Sequence, residues 1–337
     1  MYYNNGAGSF SGPRYVNLPV TCCIALGDVN GDGIPDLVSN TGYVAFGTAS
    51  GVFKKAVSYP IDAALGSENV VLADLRNDGL TDIVFDSQGS ISVLLNQGKA
   101  GVEDGLWTSV TDGAGCGASA DFNLDGKPDL AVNNTLGVSI LLGTGKASAP
   151  FTTGTTIALP NAACLITGDL NGDGIPDLLV PANGTVNAYL GNGDGTFDLK
   201  STVATPSGGY VALGDFNHDG KLDFATSGNL LALGKGDGTF QAPVPFVPNP
   251  PVSGFSAIAT GDINNDGWTD MVLTNDSVPI VNLTVLLNNQ QGGFTQAPTN
   301  FGGETYQVIL ADLNKDGNLD LVLGGGAAIY FGNGQGG

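Results

Sequence analysis

One nine-residue phrase recurs seven times along the chain and constrains its fold more than any other feature. It has Asp at positions 1, 5 and 9, Gly at position 6, and Asn at position 3 in six of the seven copies. The copies begin at Asp28, Asp74, Asp121, Asp169, Asp215, Asp262 and Asp312. Successive copies are therefore 46, 47, 48, 46, 47 and 50 residues apart. A steady period in the high forties indicates a repeat protein, and it suits a four-stranded β-propeller blade better than most helical solenoids.

The residues between the copies are typical of short β-strands. A small, apolar segment precedes each loop, as in residues 211–214, and a second apolar segment follows it. A third segment comes after a turn, and a Gly-rich turn ending in Phe, clearest at Phe197 and Phe240, begins a fourth. We find no long apolar stripe of helical period, so we expect almost no helix. The sequence therefore predicts an all-β, seven-bladed β-propeller of four-stranded blades, as a single domain over residues 1–337.

The two ends of the chain predict how the ring closes. Residues 328–336 read as a third strand with its Gly-rich turn, and residues 3–10 match that same turn. We therefore expect residues around 10–19 to supply the outer strand of the last blade. This closure would leave no long open sheet edge, which is a site of aggregation in other β proteins. We also expect the Phe of each Gly-rich turn to fill the space between neighbouring blades.

The repeated loop has the composition of a calcium site. Calcium binds six to eight oxygen atoms at about 2.3–2.6 Å, and positions 1, 3, 5 and 9 all carry side-chain oxygens. Position 7 would add its backbone carbonyl, and Gly at position 6 permits the sharp turn. The loop resembles the start of an EF-hand, but position 12 holds residues such as Ser39 and Val132 instead of Glu. Water or a bidentate Asp at position 9 must therefore complete the shell.

A plain turn is the simpler explanation for any one copy, because Asp, Asn and Gly favour turns. Repetition favours metal, since three carboxylates in one tight loop repel each other unless a cation neutralises them. Of the 32 acidic residues in the chain, 21 stand at these positions. The predicted calcium ligands are Asp28, Asn30, Asp32, Ile34 and Asp36; Asp121, Asn123, Asp125, Lys127 and Asp129; Asp169, Asn171, Asp173, Ile175 and Asp177; Asp215, Asn217, Asp219, Lys221 and Asp223; Asp262, Asn264, Asp266, Trp268 and Asp270; and Asp312, Asn314, Asp316, Asn318 and Asp320.

The second loop departs from the pattern, because Arg76 occupies position 3. A guanidinium has no lone pair to offer a cation. We expect it to neutralise Asp74, Asp78 and Asp82 itself, so that this loop binds calcium weakly or stays empty. The sequence thus predicts about six calcium ions.

The loops and the Gly-Asp-Gly-Thr-Phe turns at residues 193–197 and 236–240 carry a family resemblance. Together they resemble the FG-GAP/VCBS repeats of integrin α-subunit propellers and of many bacterial surface proteins. The resemblance covers essentially the whole chain. It implies a propeller whose blades are made rigid by calcium and which serves as an adhesion or ligand-binding platform. Fold alone does not fix the function.

Charge and composition exclude several kinds of partner. The formal net charge is −21 at pH 7, which argues against nucleic acid and against an anionic membrane surface. No apolar run is long enough to cross a membrane, so we expect no direct membrane insertion. The first residues lack a signal peptide, so the protein is either cytoplasmic or, as we favour, a mature or excised domain. Weak calcium sites fill where free calcium is abundant. We therefore expect an extracellular or cell-surface location, and a monomeric domain.

Three functions are compatible with these features. The first is a binding or adhesion scaffold for a protein or glycan ligand. The second is a carbohydrate-binding lectin, for which Trp268, at position 7 of the sixth loop, is a candidate contact; Trp107 is the one other tryptophan. The third is a polysaccharide-active enzyme. We predict that the chain is not an enzyme, because His218 is its only histidine and lies at position 4, facing away from the loop centre.

The four cysteines leave two hypotheses open. Their simplest role is that of small buried apolar residues. However, Cys23, Cys116 and Cys164 each stand five residues before position 1 of their repeats, on the predicted innermost strand. Cys116 and Cys164 belong to neighbouring repeats and could therefore form a disulfide. Cys22 and Cys23 could form a vicinal one.

Overall fold

The structure is a computed structural model. It describes residues 13–20, 22–59, 67–87, 90–98, 102–108, 115–206, 209–247, 257–275, 282–297, 307–325 and 327–334. Those residues form twenty-eight strands in seven antiparallel sheets of four strands each, and they contain no α-helix. Accordingly, this part of the chain has no helix with the length and apolarity that a membrane span requires. The all-β, seven-bladed prediction is confirmed.

Each blade contributes one strand to each of four concentric positions. The first strands, nearest the central axis, are β2 (Ile24–Gly27), β6 (Ser67–Ala73), β10 (Gly117–Ala120), β14 (Ile166–Gly168), β18 (Val211–Gly214), β22 (Ala257–Gly261) and β26 (Val308–Ala311). The second strands are β3 (Asp36–Ser39), β7 (Asp82–Ser87), β11 (Asp129–Asn134), β15 (Asp177–Ala182), β19 (Asp223–Thr226), β23 (Asp270–Asn275) and β27 (Asp320–Leu323).

The third and fourth strands complete each sheet. The third strands are β4 (Tyr43–Ala45), β8 (Ser90–Asn96), β12 (Gly137–Gly143), β16 (Thr185–Gly191), β20 (Leu230–Ala232), β24 (Asn282–Asn288) and β28 (Ala328–Tyr330). The fourth strands, at the outer edge, are β5 (Val57–Ser58), β9 (Val102–Thr108), β13 (Phe151–Ala158), β17 (Phe197–Ala204), β21 (Val244–Pro245), β25 (Phe294–Gln296) and β1 (Arg14–Tyr15).

The last blade is completed by the N-terminal strand, as the sequence predicts. Its sheet has the order β1-β28-β27-β26, so β1 lies beside a strand more than three hundred residues away in sequence. Arg14 pairs with Ile329, and Tyr15 pairs with Ala328. Residues 10–12 of the predicted segment lie outside the described residues. Blade 7 is thus built from both ends of the chain, and the ring is closed by backbone hydrogen bonds.

The hydrophobic core lies between the blades. Seven clusters of buried side chains are present, and each draws its members from two consecutive blades, including the pair formed by blades 7 and 1. The first four residues of β3, β11, β15, β19 and β27 are all buried, because these second strands have a neighbouring blade on both faces. Burial of apolar surface between blades is the main favourable contribution to folding.

The predicted Phe contacts are found between blades. Phe197, which begins β17 in blade 4, packs edge-on against Phe122 of blade 3 with ring centroids 5.4 Å apart. Phe294 of blade 6 makes the equivalent contact with Phe216 of blade 5 at 6.0 Å. Such edge-to-face pairs add to the free energy gained from burial alone.

A disulfide joins two neighbouring blades near the central axis. Cys116 and Cys164 are bonded, with Cα atoms 5.0 Å apart, and they precede the first strands of blades 3 and 4. This is one of the two pairings that the sequence left open. The Sγ atoms of Cys22 and Cys23 are 2.7 Å apart, and both residues are half-buried.

Candidate metal centres

All seven repeated loops connect the first strand of a blade to its second strand. Position 9 of every loop is the first residue of the second strand, as Asp36 is of β3. The sheets place all seven loops at the same end of the first strands, so they share one face of the propeller. In the sixth loop, Asp262 immediately follows β22 and Asp270 begins β23.

The first three oxygen-bearing positions are fixed by short hydrogen bonds within the loop. In the first loop, Asp28 Oδ2 accepts from the Gly33 N–H at 2.6 Å, and Asn30 Oδ1 accepts from the Asp32 N–H at 2.9 Å. Asp32 Oδ1 accepts from the Ile34 N–H at 2.9 Å. The same three bonds recur in the third to seventh loops. These bonds turn the side chains at positions 1, 3 and 5 toward the inside of the loop.

Two left-handed residues produce the tight turn. The Gly at position 6 has φ between +78° and +86° in all seven loops. Position 4 is left-handed as well, including the non-Gly residues Asn77, Leu124, His218, Asn265 and Lys315, whose φ lies between +52° and +59°. For six of the position 6 glycines, an added Cβ would meet nothing within 4 Å. The backbone angle, and not a lack of space, therefore requires Gly there.

The Asp at position 9 is buried and links the loop to the rest of its blade. All seven of these residues have 0% exposed surface. In blade 4, Asp177 Oδ2 accepts from the Leu170 N–H at position 2, and Asp177 Oδ1 accepts from the Gly191 N–H at the end of the third strand, both at 2.8 Å. The other six blades repeat this pair of bonds.

Negative charge accumulates around these buried carboxylates. Burial raises the pKa of Asp36, Asp270 and Asp320 from 3.8 to about 6, although two backbone N–H groups oppose the shift for each. The carboxylates at positions 1 and 5 of the same loop raise each pKa further. The same causes raise the pKa of Asp177 and Asp223. A loop with this potential favours a bound cation.

The donor set fits a hard divalent cation. Each complete loop offers carboxylate oxygens at positions 1, 5 and 9, an amide oxygen at position 3 and a backbone carbonyl at position 7, which suit calcium. A carboxylate oxygen that accepts one N–H bond keeps a second lone pair for a metal. Among the described residues, no three Asp, Glu, His or Cys side chains converge into a metal cluster by themselves. An ion would therefore depend on the Asn and carbonyl oxygens as well, as the sequence predicts.

Comparison with protein families identifies these repeats. A family model described as FG-GAP-like repeat matches residues 28–85, 121–180, 169–226, 225–273 and 262–323. These ranges cover well over half of the chain. The chain belongs to the FG-GAP-like repeat family. Four of the five matched FG-GAP-like segments begin at position 1 of a loop.

Solved structures with the same architecture show how widely the fold is used. An Agrocybe aegerita lectin that recognises non-reducing terminal N-acetylglucosamine is 18% identical, with a TM-score of 0.63 and coverage of 93% of this chain and 91% of that one. BBS1N, solved in complex with ARL6DN, is 11% identical with a TM-score of 0.64 over 96% of both chains. The V. cholerae biofilm matrix protein Bap1 is 13% identical, with a TM-score of 0.52 over 92% of this chain and 76% of that one. No curated protein matches by sequence.

In the second FG-GAP-like loop, the guanidinium of Arg76 supplies a positive charge. One guanidinium nitrogen of Arg76 lies 3.1 Å from Asp78 Oδ2 and 3.1 Å from Asp82 Oδ1, and it donates to the Asn96 carbonyl. The side chain is 15% exposed. The prediction that Arg76 neutralises this loop is confirmed for Asp78 and Asp82. No ion pair between Arg76 and Asp74 is found among the described residues, and the Asp74 oxygens accept the N–H bonds of Asp78 and Gly79 as the position 1 oxygens do in the other loops.

Lysine at position 7 adds an ion pair within two loops. Lys127 Nζ lies 2.7 Å from Asp125 Oδ2, and Lys221 Nζ lies 3.4 Å from Asp219 Oδ2. The hydrogen bond from Lys127 lowers the pKa of Asp125. Both lysines were predicted as ligands through their carbonyl oxygens, which these ion pairs leave available. An ion bound in these loops would compete with the ammonium group for the position 5 carboxylate.

In four of the seven FG-GAP-like loops, the side chain at position 4 contacts the loop of the next blade. Asn265 Nδ2 donates to Asn318 Oδ1 at 2.8 Å, and the rings of His218 and Trp268 lie 5.0 Å apart. The remaining bonds of this kind join Asn77 to the Gly126 carbonyl and Lys315 to the Gly33 carbonyl. The ring of Trp268, which the sequence predicted as a candidate sugar contact, therefore packs against the ring of His218 of the neighbouring blade.

Sequence reasoning missed two sets of residues that hold the loops in place. Position 2 of every loop is buried and belongs to the cluster shared with the following blade, namely Val29, Leu75, Phe122, Leu170, Phe216, Ile263 and Leu313. Its unbroken apolar character was a signal that could have found it. The second set consists of the residues at the end of each third strand whose backbone N–H donates to the carboxylate at position 9. There a side chain at Gly47 or Gly143 would meet the position 8 carbonyl.

Proposed function

We propose that this FG-GAP-like propeller is a calcium-stabilised binding or adhesion domain, without catalytic activity, that works outside the cell or at a cell surface. The observation that carries the proposal is the buried Asp at position 9 of each complete loop. In five of the six complete loops its pKa is raised by burial, and the carboxylates at positions 1 and 5 of the same loop raise it further. Such a loop is self-repulsive without a cation, and its oxygens suit calcium.

Calcium would serve the structure of the domain. The residues that would hold it lie between the first and second strands, and their position 2 neighbours anchor in the cores between blades. An ion at this place would fix the loop against both elements at once. Six complete loops support a stoichiometry of about six, with the Arg76 loop weak or empty. Such open, short loops are expected to bind with the modest affinity of extracellular sites, about 10⁻⁴–10⁻³ M.

The binding role is supported by architecture. The propeller is similar in fold to a lectin that recognises N-acetylglucosamine and to a biofilm matrix protein. At 18% and 13% identity these similarities concern the fold, and function resides in particular sites. A protein or glycan ligand from another cell or from a surrounding matrix is therefore proposed, with the propeller as its rigid platform.

The calcium role is tested by thermal unfolding in 5 mM chelator and in 10 mM calcium, with equilibrium dialysis to count bound ions. We expect about six ions and a melting temperature several degrees higher with calcium. Ten millimolar magnesium is the control, since Mg²⁺ demands a stricter octahedral shell and should stabilise less. Equal melting temperatures with chelator and calcium would contradict the structural role.

A carbohydrate-binding lectin is the second candidate function. It is favoured by a cavity at the centre of the ring, whose described lining residues are uncharged and offer amide, phenol and apolar groups. A glycan array probed with the calcium-loaded protein tests it. Binding to defined glycans would support a lectin, whereas an array without signal, together with capture of a cell-surface protein, would favour the adhesion domain.

A further inference from the structure

Seven equivalent residues form a ring at one end of the central channel. Each stands five positions before the first Asp of its loop. Three of them are cysteines, Cys23, Cys116 and Cys164. The other four are Asn69, Tyr210, Ala257 and Gln307. All seven line a single cavity of about 480 Å³. Because they come from all seven blades, the cavity lies on the axis of the propeller.

The cavity lies at the opposite end of the channel from the metal loops. The ring residues precede the first strands, and the loops follow them. In blade 1, for example, Cys23 precedes β2 and Asp28 follows it. At about 3.3 Å per residue, five residues of extended chain separate the two levels by roughly 16 Å. A ligand in the cavity would therefore not touch the metal loops, and the two sites can be tested separately.

The described part of the lining carries no formal charge. Among the described residues around the cavity there is no Asp, Glu, Lys, Arg or His, although the protein as a whole has a net charge of −21. An ionic ligand would lose water without gaining a counter-charge there, which is costly. The lining therefore favours a neutral ligand.

The chemistry of the lining matches a sugar residue. Tyr210 is 43% exposed and offers an aromatic face, while Ile166, Ile258 and Val308 provide apolar walls. Amide and phenol groups hydrogen-bond to hydroxyls as donors and as acceptors. A sugar ring presents both hydroxyls and an apolar C–H face. The volume lies within the usual range for small-molecule sites, which combine apolar walls with a few polar groups.

The ring is held rigid at this level. The Cys116–Cys164 disulfide joins blades 3 and 4 at the cavity wall. Gln307 Oε1 of blade 7 accepts the Ile24 N–H of blade 1 at 2.6 Å, across the closure of the propeller. A preformed site binds with a smaller loss of conformational entropy.

We propose that this axial cavity binds one neutral sugar residue, entering from the face opposite the metal loops. The inference rests on the proposed binding role and names a ligand class and a site for it. The specificity is for uncharged sugars, and the principal aromatic contact is Tyr210.

Binding is tested by ligand-observed NMR titration of the calcium-loaded protein. The neutral probes are glucose, galactose, mannose and N-acetylglucosamine, and the charged counterparts are glucuronate and glucosamine. We expect at least one neutral sugar to bind weakly at a single site, with a Kd of about 10 mM or tighter. The charged counterparts should bind at least about tenfold more weakly. Failure of all four neutral sugars, or equal binding of the charged ones, would overturn the inference.

Matched variants locate the site. Tyr210→Ala should weaken binding at least about tenfold, a typical loss for an aromatic contact. Asn69→Ala gives a second, milder variant should the first fail to fold. Tyr15→Ala is the control, since Tyr15 is 72% exposed on the outer strand of blade 7. Unchanged binding in both cavity variants, or loss of binding in Trp268→Ala instead, would place the sugar elsewhere and refute the inference.

The melting experiment separates the two proposals. Each variant is first shown to keep the calcium-dependent rise in melting temperature. If that rise is present and no neutral sugar binds, the sugar site is wrong and the calcium role stands. If a neutral sugar binds while chelation leaves the melting temperature unchanged, the calcium role is wrong and the axial site stands.

Discussion

Replacing Arg76 by Asn should turn the exceptional second loop into a calcium site. The substitution restores the oxygen found at position 3 of the other six loops. It also removes the guanidinium that lies 3.1 Å from both Asp78 and Asp82. The variant is therefore expected to be less stable than the wild type without calcium, and to regain that stability when calcium is added.

The size of the loss follows from burial. Removing one partner of a buried ion pair costs about 3–5 kcal/mol. Asp82 has no exposed surface, but Asp78 is 36% exposed and Arg76 is 15% exposed, so we expect about 2–3 kcal/mol here. Calcium at one hundred times its Kd returns about 2.7 kcal/mol. With a Kd near 10⁻⁴ M, 10 mM calcium would therefore restore almost all of the loss.

The assay is urea unfolding of wild type, Arg76→Asn and Arg76→Leu, each in chelator and in 10 mM calcium. Arg76→Leu is the matched control, because it removes the guanidinium without supplying an oxygen. It should be destabilised in both buffers, whereas Arg76→Asn should recover in calcium and bind one more ion by dialysis. If the two variants respond equally to calcium, the second loop does not follow the chemistry of the others.

Three further predictions concern the pH dependence of stability without metal, the hydrophobic cores between blades, and the disulfide. In chelator, the carboxyls of Asp36, Asp270 and Asp320 have a pKa of about 6 in the folded protein and 3.8 in the unfolded chain. Their contribution to the stability of the fold is therefore greatest below about pH 4, and it is lost as the pH rises through about 6. The melting temperature in chelator should therefore fall between pH 5 and pH 7.5. Phe122→Ala should cost about 3–5 kcal/mol in urea unfolding, because Phe122 is fully buried. Replacing Cys116 and Cys164 together by Ala should cost about 4 kcal/mol in the same assay, from the loss of a cross-link over 48 residues.

Each of these predictions has its own control. Calcium should flatten the pH dependence, and a melting temperature that rises from pH 5 to pH 7.5 in chelator would contradict the raised pKa values. Leu199→Ala, at a residue 56% exposed, should cost far less than Phe122→Ala. Reduction of the wild type should reproduce the effect of the double cysteine variant, and no change on reduction would mean that the bond is absent.

The sequence predicted most of the architecture because the period of the loops is a local signal. It predicted the number of blades, the position of each loop between the first and second strands, and the pairing of β1 with β28. It also placed Arg76 against Asp82. These results need only the order of the residues and the rule that a closed ring leaves no free edge.

Contacts between loops of neighbouring blades could not be predicted in this way. They depend on a left-handed backbone at position 4, which aims residues such as His218 and Asn265 sideways. Sequence reasoning placed His218 facing away from the loop centre but could not find Trp268 beside it. The hydrogen bond from the Gly191 N–H to Asp177 was missed for a similar reason, since it joins the loop to a strand residue fourteen positions away in sequence. The metal ligands themselves remain a prediction.

The placement of every hydrophobic cluster between two blades has a consequence for how such a protein can change in length. In an open stack of repeats, an end unit can fray or be lost while leaving only one neighbour uncovered. Here every blade covers two neighbours, and β1 and β28 leave no terminal unit. Loss of a single 47-residue unit would expose two half-cores that do not match. The ring therefore gains or loses a blade only by readjusting all of its interfaces to a new radius.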